Sequence, residues 1–124
     1  MKQESVQYFT EKEEEIVNLL IDIGTKKNVA KVLVFLANIP EATSHAIERG
    51  IDLRQPEVSI SMHYLMDQGW ISCRESKTDS KGRPVKIYKL SKPISEIMDS
   101  FEKEREDRAH NQLAMIKKLR DFIS

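Results

Sequence analysis

Apolar residues recur at helical spacing along most of this chain and switch to alternation in one short stretch. Ile16, Val17, Leu19, Leu20 and Ile23 make the first stripe. Thr10 followed three residues later by Glu13 is a capping-box signature that opens the helix carrying it, and Gly24 stops it. Val29, Val32, Leu33 and Leu36 predict a second helix over 26–37, capped by Thr25, forbidden to continue by Pro40, and reading as buried core. A short helical segment over 42–49, closed by Gly50, leads through Ile51, Asp52 and Leu53 to a further helix. That helix opens near Gln55 with Pro56 in its first turn, presents Val58, Met62, Leu65 and Met66, and ends at Gly69.

The pattern then changes. Residues 70–74 and 85–90 suit half-buried strands, and the polar stretch 75–84 between them, with Gly82 and Pro84 near its end, predicts a hairpin with a long exposed tip. After Pro93 there is neither Pro nor Gly, so 94–124 reads as one helix of roughly 45 Å. Ile94, Ile97, Met98 and Phe101 form one apolar patch on it, and Leu113, Met115, Ile116, Leu119, Phe122 and Ile123 a second. The charged run 102–108 separates them, which argues against an uninterrupted zipper. So long a helix exceeds what a small core needs, and an intersubunit role follows for Ile94, Ile97, Phe101, Leu113, Ile116, Leu119 and Ile123.

The chain has 124 residues, enough for one ordinary core that buries roughly two thirds of its unfolded surface. Twenty Lys and Arg balance twenty Asp and Glu, so any case for a polyanionic partner must come from where the charge sits. Residues 1–24 carry two basic against six acidic groups, 25–69 five against five, 70–92 seven against two, and 93–124 six against seven. The basic surplus is therefore confined to the hairpin. Cys73 is the single cysteine, which excludes an internal disulfide and a multi-cysteine zinc site. Three scattered histidines add no ligand cluster, and no metal or cofactor is expected. No secretory leader or membrane span is read in the sequence, so a reducing, cytoplasmic setting is expected, with no membrane partner. Phosphate-cradling glycines and a nucleophile with a nearby base are also missing, which argues against an enzyme.

The stretch 52–71, with Leu53-Arg54-Gln55-Pro56-Glu57-Val58-Ser59 followed by Leu65, Gly69 and the pair Trp70-Ile71, resembles the recognition-helix region of ArsR-like and MarR-like transcription regulators. Lys81-Gly82-Arg83-Pro84-Val85-Lys86-Ile87-Tyr88-Lys89-Leu90 likewise looks like the wing and following strand of such proteins. The resemblance implies a mainly α fold with a small β-hairpin wing: a winged helix-turn-helix with a long C-terminal dimerisation helix. It implies a DNA-binding domain over 1–92, the dimerisation helix over 93–124, and a homodimer that grips double-stranded DNA.

The residue chemistry agrees. Gln55, Ser59, Ser61 and His63 offer amide, hydroxyl and imidazole groups for base edges or phosphates, and Lys77, Lys81, Arg83 and Lys86 supply charge that displaces condensed counterions. Arg54 stands where relatives carry a small polar residue and adds a phosphate contact. Ile60 stands where many carry Arg and would give a methyl-reading contact instead. Competing readings are a solvated helix face, a basic loop of no consequence, and a winged-helix module that binds protein rather than DNA. Cys73 reads as a small strand residue rather than a redox sensor. The helix containing His45 lacks the cysteine pair of metal-sensing ArsR relatives, and no effector pocket is legible.

Overall fold

A computed structural model describes residues 10–77 and 84–124. Elements follow in the order α1 (Glu11–Asp22), α2 (Lys27–Asn38), β1 (Ala42–Thr43), α3 (Ser44–Ile51), α4 (Gln55–Asp67), β2 (Ile71–Lys77), β3 (Pro84–Leu90) and α5 (Ile94–Ile123). They divide into two compact units, one ending at Lys92 and one running from Pro93 to Ser124.

In the first unit α1 starts as its sequence requires. Thr10 Oγ1 accepts from the Glu13 amide at 3.3 Å, and Glu13 Oε1 accepts from the Thr10 amide at 2.8 Å, so two amides that no helical carbonyl can reach are satisfied reciprocally. The second oxygen of Glu13 accepts from Asn38 Nδ2, tying the start of α1 to the end of α2. Val17 and Leu20 are buried, whereas Ile16, Leu19 and Ile23 from the same stripe stay exposed. The central element is α2, in which Val29, Ala30, Val32, Leu33, Val34, Phe35 and Leu36 are all buried. A helix apolar on nearly every side must be surrounded. Its cap is not Thr25 as expected: Lys26 holds the N-cap position and no side chain caps the helix.

Ile47 and Ile51 of α3, Val58, Met62 and Leu65 of α4, and Trp70, Ile71 and Tyr88 complete the core. Gly50 does not close α3. It lies in the last turn, and a methyl group there would collide with Cε1 of Phe35 and sit 2.9 Å from its Cζ. The helix ends instead at Asp52, whose left-handed backbone (φ 56°) suits a short polar side chain better than most. Gly69 does end the region of α4, at φ 78°.

The sheet is antiparallel in the order β1-β3-β2. β2 is longer than the alternation suggested, because it stays paired with β3 from Ile71↔Leu90 out to Lys77↔Pro84. Of the expected long tip, residues 78–83 lie outside the described residues. The two-residue β1, absent from the sequence reading, pairs Ala42 with Tyr88 and Thr43 with Ile87.

The second unit is α5, 30 residues long. Glu104 with Arg108 at 3.1 Å and Lys103 with Asp107 at 3.9 Å form ion pairs one turn apart, and Arg105 stacks over Phe101 at 5.4 Å, so the charged run supports the helix it interrupts.

The Gly50 contact makes a direct test. Gly50→Ala should cost about 1–3 kcal/mol through overpacking, seen as a lower denaturant midpoint at unchanged slope. Adding Phe35→Leu should give a combined loss smaller than the two single losses together; strict additivity would show that the ring is not what excludes the methyl.

Candidate nucleic-acid interface

Three local devices shape the helix-turn-helix. Thr43 Oγ1 accepts from the Ala46 amide at 3.1 Å and so caps α3 from within β1. The turn Asp52-Leu53-Arg54 follows, with the Leu53 amide donating to the Glu48 carbonyl at 3.2 Å. Glu57 Oε1 then accepts from the Arg54 amide at 3.0 Å, closing half of a capping box; the other half needs an acceptor that an arginine side chain does not have. Pro56 in the first turn costs no helical hydrogen bond.

Along α4, Val58, Ser61, Met62 and Leu65 are buried and anchor the helix. Since successive positions turn by about 100°, the opposite side presents Pro56, Ile60, His63 and Asp67 in one line, flanked by Glu57 and Tyr64, and all are exposed. Arg54 and Gln55 are exposed at the N-terminal end, Ser59 is half-buried at the edge, and Ile60 is 71% exposed. Ser61 is a correction. It was expected on the groove-facing side, but it is only 2% exposed, because two residues from Ser59 means about 200° around the helix and not the same face. Polarity had grouped residues that helical geometry separates. The same geometry, applied to exposure instead of polarity, would have found Pro56, Tyr64 and Asp67.

In the hairpin, Lys86 and Lys89 are exposed on β3, while Glu75 stands directly opposite Lys86 and offsets part of its charge. Of Lys77 only the backbone is described, opposite Pro84, and Lys81 and Arg83 lie outside the described residues. Arg74, unassigned by sequence, donates to Glu41 at 2.8 Å and ties β2 to the residue before β1. Burial first, and then the neighbouring Cys73, hold the Tyr88 phenol above its ordinary range, so it stays neutral under the sheet. Trp70 is buried, edge-on to Tyr64 with ring centroids 6.3 Å apart.

The α5 residues read as an intersubunit set divide in two. Ile97 and Phe101 are buried, at 0% and 4% exposure. Ile94 lies at 36%, while Leu113, Ile116, Leu119 and Ile123 are exposed at 50–81%, accompanied by Met115 and Phe122.

Among the described residues no group of three or more His, Cys, Asp or Glu could hold a metal, and no helix is long and apolar enough to cross a membrane.

No protein-family model and no curated protein matches the sequence. Solved structures do match the fold. A possible transcriptional regulator from Methanosarcina mazei Go1 aligns over 81% of this chain and 84% of its own, at 19% identity and a TM-score of 0.60. The archaeal chromatin protein TrmBL2, described as showing a novel mode of DNA binding, aligns over 90% of this chain at 16% identity and a TM-score of 0.72; the match spans 40% of TrmBL2. The multiple antibiotic resistance repressor MarR aligns over 83% of this chain and 73% of its own, at 15% identity and a TM-score of 0.54. At such identities the likeness establishes the fold, a winged helix with a long C-terminal helix, as found in MarR-like regulators.

The orientation of α4 is open to chemical test. In a Cys73→Ser background, which removes the exposed native thiol, Ile60→Cys should react freely with a thiol reagent and Ser61→Cys on the order of a hundredfold more slowly, because its exposure requires local unfolding. Equal rates would mean that the helix is rotated from this orientation.

Proposed function

We propose that this chain is a sequence-specific, double-stranded-DNA-binding transcription regulator acting as a homodimer, without a cofactor and without catalysing a reaction. In this reading the N-terminal half of α4 enters the major groove, with Gln55, Ser59, Ile60 and His63 toward base edges. Arg54 and the basic hairpin, with Lys77, Lys81, Arg83 and Lys86, meet phosphates. Repression by blocking polymerase access is the default mode of action, and a cytoplasmic location is the natural setting.

The observation that carries the proposal is that one face of α4 is anchored by Val58, Ser61, Met62 and Leu65 while the opposite face stays exposed, in the same compact unit as a hairpin that holds the chain's basic surplus. The likeness of fold to transcription regulators supports it. Dimerisation is supported by the far half of α5, where Leu113, Met115, Ile116, Leu119, Phe122 and Ile123 cover about half the helix circumference and all remain exposed. A surface that apolar is stabilised by a partner. The exposed apolar residues of α5 are a narrower set than the one expected from sequence, since Ile97 and Phe101 are buried. A protein-binding module is the second reading, favoured by the acidic and apolar content of the exposed α4 face, with Glu57, Asp67, Ile60 and Tyr64 upon it.

Salt separates the two. Binding to random duplex should weaken steeply as salt rises, and Lys86→Ala should lower affinity for all sequences while flattening the slope by about one per subunit engaged. Lys81→Ala with Arg83→Ala should flatten it further. Affinity indifferent to salt would favour the protein-binding module. For the dimer, Leu119→Asp should yield monomers by sedimentation with helical content retained; an unchanged mass would remove α5 from the interface.

A further inference from the structure

We infer that α4 reads a pyrimidine 5-methyl group through Ile60, so that the preferred duplex carries thymine or 5-methylcytosine at one fixed position in each half-site. The inference rests on the DNA-binding reading above and deepens it.

Ile60 is the most exposed large apolar side chain among the described residues of the first unit, at 71%. It is also in the middle of the outward line of α4, one turn after Pro56 and one turn before Tyr64. On the side of that line away from His63, Ile60 is flanked by Glu57 and Tyr64. Ser61 is buried, and the carboxylate of Glu57 accepts from the Arg54 amide and would repel phosphate. The hydrogen-bonding groups, Gln55, Ser59 and His63, lie along one side of Ile60.

A branched side chain with one strongly preferred helical rotamer is a rigid apolar knob. Pressed against a purine N7 or a carbonyl oxygen it would strip water from a polar edge and return no hydrogen bond. The major-groove edge offers one apolar feature, the C5 methyl of a pyrimidine. Ile60 fits that feature and penalises the alternatives. Helix propensity alone does not favour an isoleucine at so exposed a position, since alanine has the higher propensity.

The test uses the full chain. Bound duplexes are selected from two pools of the same random sequences, one synthesised with thymidine and one with deoxyuridine. A selected duplex is then compared with T·A, U·A, 5-methylcytosine·G and C·G at the position that differs. Loss of the methyl from thymine should weaken binding about fourfold per half-site, the effect of exposing one buried methyl. A matching gain of 5-methylcytosine over cytosine would assign the contact to the methyl wherever it is carried, and a gain with thymine alone would restrict it to thymine. Ile60→Ala should bring these ratios toward one.

Two outcomes would overturn the inference and leave the DNA-binding reading standing: the same motif and affinity from both pools, or full methyl dependence in Ile60→Ala. Failure to enrich any duplex from either pool, with salt-insensitive binding, would overturn both.

Discussion

Two residues of extended backbone hold the helical and sheet parts of the first unit in register. Ala42 and Thr43 pair with Tyr88 and Ile87 of β3, and the side chain of Thr43 simultaneously caps α3. The same residue therefore begins the helix-turn-helix and ends the sheet. At the far end of the helix-turn-helix the chain is fixed again, where the Trp70 amide donates to the Leu65 carbonyl and the Ser91 amide to the Trp70 carbonyl at 2.8 Å. With both ends held, the position of α4 relative to the hairpin strands follows from backbone geometry, and the buried α2 supplies the apolar floor beneath it.

Much of this was legible because it is local. The Thr10 and Glu13 box, the apolar stripe of α2, Pro56 at the start of α4 and the uninterrupted run of α5 depend on residues within a few turns of one another. What could not be read depends on distant contacts. A two-residue strand has no periodicity, so β1 emerges only when β3 lies beside it. The Arg74 to Glu41 ion pair spans 33 positions. Gly50 looked like a helix terminator, whereas its real constraint is the Phe35 ring, and the left-handed turn went to Asp52. In the candidate interface, Arg54, Gln55, Ile60 and His63 are exposed as the sequence suggested. Ser61 is not, because chemical type says nothing about which way a helical side chain turns.

The apolar residues of the long C-terminal helix read as two patches separated by charge, and burial separates them too: Ile97 and Phe101 are buried, and the residues from Leu113 onward are exposed. The charged run between the two is a set of ion pairs and one cation–π contact that keeps the helix continuous.

The separation of duties on α4 has a consequence for how this protein can diverge. Val58, Ser61, Met62 and Leu65 face inward and carry the packing, while Pro56, Ile60, His63 and Asp67 face outward and contribute little to it. Ile60, His63 and Asp67 can therefore be exchanged at little folding penalty, so these three codons can be randomised together on an unchanged scaffold.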